Sequence, residues 1–116
     1  MEAQSDAKLL RIFIGESDKI RHLPLFEVIV RDAKASGLAG ATAWRGLMGY
    51  GPTSRIRTEK ILDLSADMPV IIEITDVEPK IAAFLPVLDR LFEESKCGGL
   101  ITLEKVQIIR YSHGKR

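Results

Sequence analysis

The sequence predicts an α+β domain in which two helices lie on one face of a four-stranded antiparallel sheet, in the order βαββαβ. Three observations predict it. Apolar residues alternate with period two in segments at both ends and in the middle of the chain. Between these segments lie two stretches whose apolar residues recur at helical spacing. The side chains on the far side of the alternation make a second apolar sheet face, which requires a cover.

The first strand runs from Lys8 to Ile14, with Leu10, Ile12 and Ile14 on one face and Leu9, Arg11 and Phe13 on the other. Gly15-Glu16-Ser17-Asp18 ends it as a turn. Pro24 suits the first turn of a helix, where a missing N–H is not needed. Leu25, Val28, Ile29 and Ala33 form that helix's apolar stripe, and Gly37 is its C-terminal cap. A second strand is expected from Gly40 to Met48, then the punctuated loop Gly49-Tyr50-Gly51-Pro52-Thr53-Ser54. Ile61, Leu62 and Leu64 are expected in a short strand or turn. Pro69 to Thr75 is the clearest strand, with Val70, Ile72 and Ile74 alternating against Ile71 and Glu73. Asp76 is the expected N-cap of the second helix. Its stripe is Ile81, Phe84, Leu85, Leu88 and Phe92, and Pro86 is expected to kink it near Ala82. Cys97-Gly98-Gly99 breaks the helix, and Leu100 to Tyr111 is the last strand, with Val106 and Ile108 on one face. This is the ferredoxin-like, split βαβ order. Right-handed crossovers put both helices on one face. Leu9, Phe13, Ile71, Leu103 and Ile109, mixed with Arg11, Glu73 and Lys105, are assigned to the other face. A symmetric homo-oligomer is the economical way to keep it dry.

Composition bounds the reading. The 116 residues fit a single domain, with a core from about residue 8 to 111 and frayed ends. A net charge of +1 argues against a nucleic-acid binder, because a strong basic excess is absent. The single cysteine, Cys97, makes no internal disulfide and suits a reducing cytoplasm. No signal peptide or membrane-spanning run is expected.

Chemistry-bearing residues concentrate in the loop from Gly46 to Thr58. Gly46, Gly49 and Gly51 let backbone N–H groups approach an anion; Arg45, Arg55 and Arg57 add donors for phosphate or carboxylate, and Ser54 and Thr58 add hydroxyls. The alternative is a hairpin whose glycines serve positive φ. Glu16, Ser17 and Asp18 suit a solvated turn better than a hard-cation site. With only His22 and His113 and no Cys/His cluster, no metal is expected. Cys97 has no His or Asn near it in sequence and no GxSxG elbow is present, so no enzyme is expected. Trp44 could stack on a ligand base, but packing is the favoured reading.

Several longer runs carry a family resemblance. The segment Gly37-Leu38-Ala39-Gly40-Ala41-Thr42-Ala43-Trp44-Arg45-Gly46-Leu47-Met48-Gly49-Tyr50-Gly51 resembles domain of unknown function 190, within the P-II-like superfamily. Gly15-Glu16-Ser17-Asp18, Pro24-Leu25-Phe26, the stretch from Leu64-Ser65 through Met68 to Ile74 and Gly99-Leu100-Ile101-Thr102-Leu103-Glu104-Lys105-Val106 agree with it. One departure is that this chain has Arg57 where the family pattern carries a histidine before Thr58, so no metal or proton role transfers there. The resemblance implies a homotrimer. Superfamily relatives bind adenine nucleotides in clefts between subunits and dock a mobile loop on transporters or enzymes. It also implies phosphate contact at Gly98, Gly99, Thr102 and Lys105, which read on their own as a helix C-cap and an exposed strand lysine. The expectation is a cytoplasmic PII-like signalling protein that binds a small anionic ligand, an adenine nucleotide by analogy. The alternatives are a ligand-free interaction subunit of a membrane transporter or channel, or a metal-handling protein of the same fold.

Overall fold

The computed structural model describes residues 6–52, 57–58 and 67–115. The chain forms β1 (Asp6–Gly15), β2 (Lys19–Ile20), β3 (Leu23–Pro24), α1 (Leu25–Ala35), β4 (Thr42–Arg45) and β5 (Met48–Gly49). Then come β6 (Arg57–Thr58), β7 (Pro69–Val77), α2 (Glu78–Ser95) and β8 (Leu100–Gln107). The main sheet has four strands in the order β4-β7-β1-β8, with all neighbours antiparallel. Both helices pack on one of its faces. This is the ferredoxin-like α+β fold that the order of the elements predicts.

Strand β1 is paired along both edges, from Ala7↔Val77 to Gly15↔Pro69 on one side and from Asp6↔Gln107 to Phe13↔Leu100 on the other. Its alternation holds as predicted. Leu10 and Ile12 are wholly buried with Ile72 and Ile74 of β7, under Leu25 and Ile29 of α1 and Ile81, Phe84 and Leu88 of α2. Each such side chain contributes roughly 1.5–3 kcal/mol by leaving water.

Helix α1 follows directly on Pro24, whose ψ of 129° lies outside the helix. Glu27 in its first turn and Lys34 in its last complement the helix dipole. Gly37, at φ +82°, closes it as expected. The Leu38 amide donates to Ala33 O at 3.1 Å and the Gly37 amide to Lys34 O at 3.0 Å, the two bonds of a Schellman motif. Leu38 then tucks into the core beside Ala33.

Several boundaries differ from expectation. The second strand stops at Arg45 instead of Met48: the Gly46 amide still donates in register to Pro69 O at 2.7 Å, but Pro69 has no N–H to return the bond and the ladder ends there. The last strand stops at Gln107, where its partner β1 begins, so Ile108, Ile109 and Tyr111 lie beyond the ladder. Asp76 is not an N-cap. It is the penultimate residue of β7, 1% exposed, and its carboxylate accepts from the Ala39 amide at 2.8 Å and the Val77 amide at 2.7 Å. It thereby ties the loop after α1 to the end of β7. Helix α2 carries Pro86 inside one continuous element and ends at Ser95, with Lys96 left-handed at φ 58°, before the glycines are reached. A hairpin that the sequence did not announce joins β2 to β3. Its two loop residues, Arg21 (φ 51°) and His22 (φ 67°), are both left-handed, as a type I′ turn requires. Ile61, Leu62 and Leu64 lie outside the described residues.

The face away from the helices carries Leu9, Phe13, Ile71 and, from β4, Trp44. The register corrects part of the predicted set. Leu103 pairs with Leu10 and Lys105 with Lys8, which puts both on the helix side of edge strand β8, and Leu100, Thr102, Glu104 and Val106 take the open face. At its centre the Arg11 Nε donates to Glu73 Oε2 at 2.9 Å and Nη1 to Glu104 Oε1 at 2.8 Å. The hydrogen bond to Glu73 and the charges of both carboxylates outweigh desolvation and raise the guanidinium pKa further. Stability from a raised pKa is present below the unfolded value and lost above the folded one, so Arg11 contributes across the whole working pH range.

Two stability changes follow from these contacts. Asp76→Ala strands two amides and should destabilise by about 2 kcal/mol, against a smaller loss for Asp76→Asn, read from urea denaturation. Lys96→Gly relieves the left-handed residue and should stabilise by about 1 kcal/mol in the same assay.

Candidate functional site

Antiparallel pairing brings four chain segments to one end of the sheet: the turn after β1, the loop after β4, the start of β7 and the approach to β8. Between them lies a cleft of about 510 Å³. Phe13, Ile71 and Leu100 line it from the open sheet face. Met48, Tyr50 and Pro52 line it from the loop after β4, and Gly98 and Gly99 from the approach to β8. Among the described lining residues the one charged side chain is Asp18, a carboxylate.

The turn beneath the cleft is tightly tied. Asp18 Oδ2 accepts the Gly15 amide at 2.8 Å, and Asp18 O accepts the Leu25 amide at 2.8 Å. The Glu16 amide donates to Met68 O at 2.8 Å, and Glu16 Oε1 accepts from the Met68 amide at 3.3 Å and Arg45 Nε at 3.1 Å. Both carboxylates therefore work as turn acceptors. Among the described residues no group of three or more His, Cys, Asp and Glu is placed to hold a metal ion.

Close approach explains Gly46, Gly49 and Gly99, whereas a Cβ on Gly51 would meet nothing; positive φ among the described glycines occurs only at Gly37 and Gly114. That overturns the reading of the loop glycines as left-handed turn residues. A Cβ on Gly46 or on Gly49 would stand 3.3 Å from the Pro69 ring. A Cβ on Gly99 would stand 2.6 Å from Phe92 Cε1 and 3.1 Å from Phe13 O. Gly98 lies in ordinary contact range of Pro52, closing the cleft on that side.

Of the residues singled out in the sequence, the fold brings Gly49, Gly51, Gly98 and Gly99 together on the cleft. Gly46 packs behind it on Pro69. Arg45 stands on the helix side of β4, bonded to Glu16. Thr102 lies on the open face opposite Arg11, and Lys105 lines a separate depression of about 120 Å³ with Lys8 and Glu78. Ser54 and Arg55 lie outside the described residues; Arg57 and Thr58 are placed only as backbone, paired with Gly49 and Met48. Sequence reasoning missed the apolar walls Phe13, Tyr50 and Leu100. The available signal was Tyr50, an aromatic residue set between two glycines.

The fold has relatives among solved structures. CPII of Thiomonas intermedia K12, a nitrogen regulatory PII-like protein bound to ADP, AMP and bicarbonate, has a TM-score of 0.68 at 19% identity over 90% of both chains. A putative PII-like signaling protein of Thermus thermophilus has a TM-score of 0.59 at 21% identity over 90% of this chain and 91% of that one. A phage SAM lyase in complex with S-methyl-5'-thioadenosine has a TM-score of 0.50 at 17% identity over 95% of both chains, so the fold alone does not exclude catalysis. The class is thus a PII-like ferredoxin fold. Residues 7–108 match DUF190, described as Uncharacterized ACR, and the chain belongs to that family. A UPF0166 protein of Aquifex aeolicus (strain VF5) is 42% identical over 102 residues, 88% of this chain and 92% of that protein.

Gly99→Ala forces Phe92 and the β1 backbone apart. It should lower stability by about 1–3 kcal/mol, seen as a thermal midpoint several degrees lower, whatever the cleft holds.

Proposed function

We propose that this chain is a PII-like regulatory protein whose cleft takes an adenine nucleotide and whose loop after β4 carries the signal to a partner. The observation that supports this most is the convergence of Gly49 and Gly51 with Gly98 and Gly99, segments far apart in sequence, on one cleft of about 510 Å³. That volume falls in the range of small-molecule sites. Its walls are apolar and aromatic, which suits a purine, and its glycines admit close backbone approach. The ADP and AMP bound by CPII, a protein of the same fold, agree with this reading.

Phe13, Ile71 and Leu100 line the cleft and belong to the open sheet face as well. Any copy of the chain that covers this face therefore borders the cleft. A homotrimer in the cytoplasm, with Arg55 and Arg57 of the loop after β4 meeting the phosphate charge at the subunit boundary, is the assembly this reading uses; Arg45 and Lys105, which stand away from the cleft, drop out of the predicted anion set. Ligand binding then favours one arrangement of the loop, a population shift that requires different affinities for the loop's states.

A second reading, an interaction subunit that needs no ligand, draws on the exposure of Leu47, Met48 and Tyr50 at 90%, 62% and 74%. Its partner would be a transporter, channel or enzyme. Among the described residues no helix of the chain is long and apolar enough to cross a membrane itself.

Isothermal titration of the purified protein with AMP, ADP and ATP separates the two. The first reading expects saturable heat with at least one nucleotide and a trimer by sedimentation. The absence of heat with all three at millimolar concentration removes it.

A further inference from the structure

We propose that Asp18 is the residue that orients the ligand in the cleft, by accepting hydrogen bonds from the vicinal hydroxyls of a ribose. This rests on the nucleotide reading above and adds which end of the ligand the described walls receive.

The argument starts from charge. Among the described residues, the one charged side chain that lines this cleft is a carboxylate. Lys105 belongs to another depression, and Arg45 is bonded to Glu16. A phosphate placed against Asp18 would meet like charge in an apolar setting, where screening is weak. The wall around Asp18 therefore suits an uncharged part of a nucleotide.

Asp18 is built as an acceptor. Its Oδ2 is held by the Gly15 amide at 2.8 Å, and its own amide and carbonyl are fixed by Gly15 O at 3.2 Å and the Leu25 amide at 2.8 Å. Oδ1 has no hydrogen-bond partner among the described residues. The carboxylate is thus anchored through one oxygen, leaving the other for a donor. An apolar cleft with one fixed acceptor selects a ligand that is flat and apolar over most of its surface and carries hydroxyl donors at one point. A ribonucleoside fits that description: the base lies between Phe13, Tyr50 and Leu100, and the 2′- and 3′-hydroxyls meet Asp18. Acidic residues read the ribose 2′-hydroxyl in the same way in dinucleotide-binding folds. The phosphates then point away from Asp18, toward the subunit boundary.

The test compares ADP with 2′-deoxy-ADP and 3′-deoxy-ADP by isothermal titration on the wild-type protein and on Asp18→Asn. The asparagine oxygen still accepts the Gly15 amide, so the turn survives, and circular dichroism checks that it does. The wild-type protein should bind ADP at least about 10-fold more tightly than one or both deoxy analogues, since a site that pairs a hydroxyl penalises its loss. In Asp18→Asn the ribose-to-deoxyribose ratio should collapse toward one. Binding of ADP without discrimination by the wild-type protein, or with discrimination retained in Asp18→Asn, overturns the role of Asp18 and leaves the nucleotide reading intact. No binding of any adenine nucleotide to the wild-type protein overturns both.

Discussion

Strand β1 is hydrogen-bonded along both of its edges, and the rest of the molecule depends on that double pairing. It joins β7, from the middle of the chain, to β8, from its end, in one continuous ladder. Because neighbouring side chains of a strand point to opposite faces, one register decides both faces at once. A slip of one residue would send Leu10 and Ile12 to the open face and Arg11 into the core. The burial of Leu10, Ile12 and Ile14, alternating with half-buried Arg11 and Phe13, makes such a slip prohibitive.

The same pairing builds the cleft. Antiparallel neighbours place the end of β1 beside the starts of β7 and β8, so the Gly15–Asp18 turn, Pro69 and Leu100 meet although they are distant in sequence. Pro69 has a further role. Its carbonyl takes the Gly46 amide but it has no N–H to give back, which ends the β4 ladder, and its ring is the surface on which Gly46 and Gly49 pack. Gly46, Gly49 and Gly99 are positions where two chain segments come close, which explains these three without any ligand. Whatever the cleft binds, it binds on a frame already set by packing.

The open face has a different logic. Its apolar residues surround the Arg11–Glu73–Glu104 cluster, in which one cation bridges strands on both sides of β1. Exposed pairs of this kind add little to the stability of a single chain. Their value here is in register, since a slipped strand would leave these charges without their partners.

Much of this was legible in the residues. Period-two alternation around Leu10 and Ile72, the helical stripes of α1 and α2, and Gly37 as a cap all follow from local rules that each segment obeys by itself, and with the order of the elements they determine the ferredoxin-like fold. Three things were decided only by the tertiary structure. Leu100, Ile101 and Leu103 are apolar on both faces of β8, so its parity depended on pairing with β1. The I′ turn at Arg21 and His22 lacks the Asn-Gly pair that announces such turns, and is held where buried Ile20 and the ion pair of Arg21 with Glu94 place it. Asp76 looks like an N-cap by position, yet its carboxylate serves Ala39, a neighbour supplied by another part of the chain. The site divides in the same way. Its glycines stood out as residue types, whereas its apolar walls and the acceptor at Asp18 emerged only once folding brought together segments that no local pattern connects.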